Sequence, residues 1–97
     1  PELDAIMTAV DIQGLGAIRA LTERKIRMPE QIKVISLTGH AVGRMLETSM
    51  TSMEMPAHEM GKKAARMVID EINAPSDQKP STQHVTFATA LVEREST

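Results

Sequence analysis

The sequence predicts an α/β fold in which a parallel sheet is flanked by helices. Short apolar segments rich in β-branched residues alternate with longer segments whose apolar residues recur at helical spacing. Such alternation is typical of parallel sheets joined by right-handed crossovers. The 97 residues, 41% of them hydrophobic and 25% charged, fit one ordinary globular unit with a modest core.

The first half of the chain predicts two strands with a helix between them. Residues 3–10 form a short apolar run, too brief for a typical helix, and predict the first strand. Residues 11–26 place apolar side chains at helical spacing with charged ones between them, which predicts an amphipathic helix. Residues 32–37 predict a second strand that is apolar on both faces, so both of its faces must be covered.

The second half predicts one long helix and a last strand. Residues 41–46 are expected to form a short helix, and residues 48–54 an extended segment. Pro56 occupies a position that is favoured at the start of a helix, and the helical spacing continues to residue 73. After a polar, Pro-containing loop, residues 84–92 alternate with period two and predict a half-exposed strand.

Composition excludes several classes of function. The formal net charge of −2 gives no basic field for a nucleic-acid backbone, so this stretch is not expected to bind DNA by itself. The chain has no cysteine for a disulfide or a thiolate site, which fits a cytosolic protein. No apolar run approaches the roughly 18 residues of a membrane span. Phe87 is the one aromatic residue, so we expect much of any sugar cleft to lie outside this stretch.

No set of residues predicts catalysis, a cofactor or a metal. The three histidines, His40, His58 and His84, are too far apart for short metal-ligand spacings. The glycines at 14 and 16 suggest a dinucleotide-binding turn, but Arg19 stands where the third small residue is needed and no acidic residue ends the second strand. The serines lack the context of a nucleophile elbow. The chain is therefore predicted not to be an enzyme.

Asp11 allows two interpretations. It stands where the first strand gives way to a helix, so its carboxylate is suited to an N-cap. The carboxyl ends of parallel strands are also where α/β sheets place ligands, and a carboxylate there accepts hydrogen bonds from sugar hydroxyls. The sequence pattern alone favours the capping role.

Several segments, in order along the chain, closely resemble the late part of LacI/GalR-family repressors. Residues 4–11 are similar to the family's Pro-Asp-Ala-Ile strand and Asn-Asp pair, and residues 14–21 to its Leu-Gly-Ala helix. Further matches are Arg-Met-Pro-Glu-Gln-Ile-Lys-Val-Ile at 27–35, Met-Thr-Ser at 50–52, Met-Gly-Lys-Lys-Ala-Ala at 60–65 and Leu-Val-Glu-Arg-Glu-Ser-Thr at 91–97. The resemblance covers essentially the whole chain.

This resemblance implies a fragment of a periplasmic-binding-protein-like (type I) fold, with two α/β subdomains and an effector in the cleft between them. Residues 1 to about 53 would belong to the C-terminal subdomain, about 54–80 would form a helix of the N-terminal subdomain, and about 81–97 a return strand. The DNA-binding domain would be absent from this stretch. The helix at 56–73 would then lack its sheet, so we expect the isolated chain to self-associate or exchange strands.

The resemblance implies a sugar-responsive transcriptional repressor that is cytoplasmic, without membrane contact, and a homodimer or higher oligomer. Its effector would be a sugar or sugar phosphate, with sucrose and trehalose as guesses, and operator DNA would bind only through the absent N-terminal domain. The alternative is a periplasmic-type sugar-binding transport protein of the same fold.

The resemblance also names candidate site residues. Asp11 matches an aspartate that contacts effector hydroxyls, which reverses the preference for capping. Thr38, Gly39 and His40 replace a common Asp-containing run, so this ligand-binding loop is expected to recognise a different effector. A matching dimer-interface segment makes three residues candidates for dimer contact, namely Val42, Met45 and Leu46.

Overall fold

The computed structural model describes residues 2–39, 48–79 and 81–97. It divides into two compact units, one made of Pro1–Met55 and Thr89–Thr97 and the other of Pro56–Ala88. The described part of the first unit contains four strands and one helix, and that of the second unit contains one long helix. The predicted short helix at 41–46 lies outside the described residues.

The first unit is built on one four-stranded sheet. Its strands are β1 (Ala5–Thr8), β2 (Lys33–Gly39), β3 (Thr51–Glu54) and β4 (Ala90–Val92), in the spatial order β1-β2-β3-β4. β1, β2 and β3 are parallel, and β4 runs antiparallel to β3. The predicted α/β class is confirmed, with a mixed sheet.

Helix α1 (Asp11–Glu23) covers one face of this sheet. Ile18 and Leu21, one turn apart on the helix, form the core with Val34 and Met50, and Ile6 of β1 packs against them. Burying a side chain of this size stabilises the fold by about 1.5–3 kcal/mol. The helix ends three residues before the predicted residue 26, because the chain turns there.

The turn after α1 is a Schellman motif. The amide of Lys25 donates to the carbonyl of Thr22 at 3.0 Å, and the amide of Ile26 donates to the carbonyl of Leu21 at 2.9 Å. Lys25 adopts a φ of 56°, the left-handed conformation that this motif requires. Glycine is the usual residue there, and lysine in its place carries a steric cost.

Helix α2 (Ala57–Asn73) dominates the described part of the second unit. It occupies nearly the span predicted from Pro56 to residue 73. None of its residues is buried, although it carries large apolar side chains such as Val68, Ile69 and Ile72. In the part of the chain that the structure describes, the apolar stripe of α2 is therefore exposed.

The last strand is shorter than its alternating pattern predicts. Pairing with β3 begins only at Ala90, which faces Glu54, whereas the pattern starts at residue 84. A strand needs a neighbour that accepts its backbone hydrogen bonds, and residues 84–88 pair with no strand in the described part of the chain. Side-chain alternation was present there without a partner strand.

Candidate functional site

The carboxyl ends of β1 and β2 lie at one edge of the sheet. The two strands pair in parallel, with Thr8 opposite Ser36, so the residues that follow them leave on the same side. Asp11 follows β1, and Thr38 and Gly39 close β2. This is the edge at which open α/β sheets bind ligands. His40, the fourth predicted ligand residue, lies outside the described residues.

Asp11 is the first residue of α1 and is only 7% exposed. The capping interpretation is wrong, because Val10 is the N-cap, with extended backbone angles and no side-chain cap bond. The carbonyl of Val10 accepts hydrogen bonds from the amides of Gln13 and Gly14, which begin the helix. A carboxylate in the first turn still interacts favourably with the helix dipole, by about 0.3–1 kcal/mol.

Gln13 supports this helix start and was missed in the sequence. Its side-chain Oε1 accepts a hydrogen bond from the amide of Ala9 at 3.1 Å. The contact ties the segment between β1 and α1 to the first helical turn. The signal was a Gln at the third helical position, where capping boxes place Glu or Gln.

Gly14 allows β3's amino-terminal flank to approach α1 closely. A Cβ at position 14 would overlap the Sδ of Met50 and lie 2.9 Å from its Cε and 3.2 Å from the Oγ1 of Thr8. Met50 is fully buried and belongs to the core. The glycine is therefore needed for packing and not for a phosphate-binding turn.

Gly39 makes the second close approach, at the end of β2. It is buried, and a Cβ there would overlap the side chain of Ser52 on β3. Thr38, half-buried, accepts a hydrogen bond on its backbone carbonyl from the Oγ of Ser36 at 3.2 Å. The structure thus brings Thr38 and Gly39 to the same sheet edge as Asp11.

Arg94 joins the carboxyl part of the chain to β3. Its Nη1 donates to the carbonyl of Met50 at 2.7 Å and to the Oγ of Ser52 at 2.8 Å, and its Nη2 lies 2.6 Å from the Oε1 of Glu54. The Arg94 side chain is 11% exposed and that of Glu54 is 41% exposed. The sequence offered Arg94 only as part of the matching 91–97 segment, without a contact.

Ser96 completes this network inside the sheet. Its Oγ accepts from the amide of Thr51 at 2.8 Å and donates to the carbonyl of Val34 at 2.6 Å. Its backbone amide donates to the carbonyl of Ser49, and its carbonyl accepts from the amide of Val34. Ser96 is fully buried, so one small residue satisfies backbone groups of two strands.

Within residues 2–39, 48–79 and 81–97, neither a metal site nor the surface groove is a better candidate than the sheet edge. These residues contain no group of three or more His, Cys, Asp or Glu residues that could hold a metal ion. A surface groove of about 400 Å³ lies in the second unit, between α2 and residues 81–83. It contains none of the predicted ligand residues, and it borders the uncovered helix. We therefore place the candidate site at the sheet edge and not in the groove.

The predicted dimer contact and the predicted lack of a membrane span remain to be placed against the structure. Val42, Met45 and Leu46 lie outside the described residues, so their role in a dimer stays a prediction. Over residues 2–39, 48–79 and 81–97, no helix has both the length and the apolar character to cross a membrane.

A mixed α/β sheet with polar residues at the carboxyl ends of its parallel strands is typical of ligand-binding domains. A family model described as "Periplasmic binding protein-like domain" matches residues 1–97. The chain is 33% identical over 78 residues to the HTH-type transcriptional regulator CelR of Thermobifida fusca, covering 80% of this chain and 23% of that protein. It is 31% identical over 98 residues to the ribose operon repressor of Halalkalibacterium halodurans, covering 100% of this chain and 28% of that protein.

A solved structure agrees with these relatives. The complex of the transcriptional regulator CelR with cellobiose superposes with a TM-score of 0.87 at 32% identity, covering 100% of this chain and 29% of that one. The chain therefore belongs to the periplasmic binding protein-like family, as part of the effector-binding domain of a LacI/GalR-family regulator. It spans about a quarter of the length of the two curated relatives described above.

Proposed function

We propose that this chain is part of the effector-sensing and dimerisation domain of a sugar-responsive transcriptional repressor. A sugar or sugar phosphate would bind one closure state of the two-subdomain cleft more tightly than the other. That difference in affinity would shift the protein between operator-bound and released forms. The full protein would act as a homodimer or higher oligomer in the cytoplasm, would reach operator DNA through a separate N-terminal domain, and would catalyse no reaction.

The observation that carries the proposal is the position of Asp11. Its carboxylate begins α1 at the carboxyl edge of the sheet, beside the end of β2 with Thr38 and Gly39. An ionised carboxylate accepts hydrogen bonds from paired hydroxyl groups, which are the groups a sugar presents. The relatives named above include a ribose operon repressor and a regulator solved with cellobiose, which supports a sugar as the effector class.

We also propose the division of the chain between two subdomains. Residues 1 to about 53 and the return strand would belong to the C-terminal subdomain, and the helix within 54–80 to the N-terminal one. The grouping of Thr89–Thr97 with Pro1–Met55, and of the helix with the separate unit Pro56–Ala88, supports this assignment for the helix and for the last part of the return strand; residues 81–88 group with the helix. Val42, Met45 and Leu46 would contribute to the dimer contact.

A periplasmic-type sugar-binding transport protein is the alternative with the same fold. The relatives described above are a transcriptional regulator and an operon repressor, which favours the repressor. Operator binding that is released by a sugar would separate the two functions, because a transport protein has no operator.

The test uses the complete regulator that carries this chain. Isothermal titration with cellobiose, ribose, lactose and a sugar phosphate such as glucose 6-phosphate, with fluorescence anisotropy of an operator duplex in parallel, should identify a ligand that binds and changes operator affinity. Asp11→Asn should weaken that sugar's binding by about 10- to 100-fold, because a hydrogen bond to a charged group is worth about 1.5–3 kcal/mol.

Asp4→Asn is the matched control, since Asp4 is exposed and precedes the same strand. It should leave sugar affinity within about twofold. Equal affinities of the Asp11→Asn and wild-type proteins would contradict the assigned role of Asp11. Failure of every sugar and sugar phosphate tested to bind the wild-type protein would contradict the proposed function itself.

A further inference from the structure

The pairing of β2 with β3 slips by one residue just before the candidate site. Ser36 faces Ser52, but the next recorded partners are Gly39 and Glu54. Three steps along β2 therefore correspond to two steps along β3, which leaves one extra residue in the segment that contains Leu37 and Thr38. Such a register shift is rare between parallel strands, and β-bulges are over-represented next to active sites, where they re-aim a side chain.

The bulge rests on the side chain of Ser52. Gly39 ends the bulged segment with its Cα so close to Ser52 that a Cβ at position 39 would overlap both the Oγ and the Cβ of that serine. Ser52 is fully buried. A shift of the Ser52 side chain toward β2 would therefore displace the backbone at Gly39.

Ser52 is in turn held by Arg94. One nitrogen, Nη1, donates both to the Oγ of Ser52 at 2.8 Å and to the carbonyl of Met50 at 2.7 Å. The other nitrogen, Nη2, is anchored by the carboxylate of Glu54 at 2.6 Å. The guanidinium is planar and donates in fixed directions, so these three acceptors define its orientation more tightly than a lysine ammonium would.

We propose that Arg94 and Ser52 are positioning residues for Thr38, holding the bulged end of β2 in the geometry that presents Thr38 to a sugar hydroxyl. This proposal rests on the sugar-sensing function proposed above. Neither side chain needs to touch the sugar, because both act through the backbone at Gly39. The chain thereby couples its carboxyl-terminal segment to the selection of the effector.

A purely structural role would make a different prediction. If Arg94 only fastened β3 to the carboxyl-terminal segment, its loss would lower the stability of the whole sheet without moving Thr38 in particular. Hydrogen exchange at individual amides, followed by NMR, distinguishes the two roles. The exchange measurement needs no ligand, so it tests the positioning of Thr38 whichever sugar is the effector.

The informative variants are Ser52→Ala and Arg94→Lys. Ser52→Ala keeps the Cβ against Gly39 and removes only the hydroxyl that Arg94 holds, so it is expected to fold even where a change at Arg94 is poorly tolerated. In both variants, the amide protons of Thr38 and Gly39 should exchange with solvent at least tenfold faster than in the wild-type protein, when each rate is taken relative to that of the Ile18 amide in α1. Arg19→Lys, in the exposed pair with Glu23, is the control and should leave that ratio unchanged.

Sugar binding by the complete regulator gives the second measurement. Ser52→Ala should weaken binding of the sugar found with the wild-type protein by about tenfold or change the order of preference among cellobiose, ribose and lactose. Exchange at Thr38 and Gly39 within twofold of wild type in the Ser52→Ala variant would overturn the positioning role. Altered exchange with unaltered sugar affinity and preference would overturn its link to the effector. Failure of the wild-type protein to bind any sugar would refute the sensing function, while the exchange ratio would still decide the positioning step.

Discussion

Gly14 and Gly16 stand on the same helix and should respond in opposite ways to the same substitution. At Gly16 nothing lies within 4 Å of where a Cβ would be placed, whereas at Gly14 the Cβ would overlap the sulfur of Met50. Replacing a glycine by alanine in a helix favours folding by about 0.5–1 kcal/mol when the new methyl group has room. Gly16→Ala is therefore expected to raise the free energy of unfolding by that amount.

Gly14→Ala has the same favourable effect on helix formation, but its methyl group must displace Met50. The end of a methionine side chain moves easily at a surface, but Met50 is fully buried among Ile18, Leu21 and Val34. Overpacking a closed core costs about 1–3 kcal/mol. The net result is a destabilisation of up to about 2.5 kcal/mol, so the two variants should differ by about 1–3 kcal/mol in total.

Urea unfolding followed by circular dichroism measures this difference directly, and thermal melts should separate the variants by about 4–8 °C per kcal/mol. Met50→Ala combined with Gly14→Ala completes a double-mutant cycle, and the cost of the alanine at position 14 should largely disappear in that background. A Gly14→Ala protein as stable as Gly16→Ala, or a cost that persists after Met50 is truncated, would refute the packing argument.

Three further substitutions test other parts of the structure. Lys25→Gly should stabilise the chain by about 0.5–1 kcal/mol in urea unfolding, because glycine adopts the left-handed conformation without a Cβ penalty; a loss of stability would contradict the helix end described above. Ser96→Ala should cost about 2–4 kcal/mol, since it leaves a buried amide and a buried carbonyl without their hydroxyl partner, whereas the exposed Ser76→Ala should change stability by less than about 0.5 kcal/mol. We expect the 97-residue chain to self-associate through α2 at micromolar concentration. In analytical ultracentrifugation, Ile72→Glu should shift it toward monomer. A monomeric wild-type chain would show that the apolar face of α2 does not mediate self-association.

Local sequence pattern predicted the helices better than it predicted the contacts around them. The spacing of apolar residues placed α2 to within one residue at its start, because helical periodicity is encoded by residues three and four apart. The same logic predicted a strand over residues 84–92, although only Ala90–Val92 pairs. Strand formation depends on a neighbour elsewhere in the chain, and side-chain alternation does not report whether that neighbour exists.

The candidate site shows the same limit at the level of single residues. Asp11 was identified from its place between a strand and a helix, but the predicted N-cap role was wrong because Val10 is the N-cap residue. The bonds of Arg94 to Ser52 and Glu54 join residues 42 and 40 positions apart. No periodicity within a short window could have indicated them. His40 and the predicted dimer residues stay predictions.

The place of Ser96 has a consequence for how the protein forms during synthesis. Its bonds reach back 62 residues to Val34 and 45 residues to Thr51, so the middle of the sheet is complete only when nearly the entire stretch has left the ribosome. Until then β2 and β3 expose backbone groups that a neighbouring nascent strand could capture.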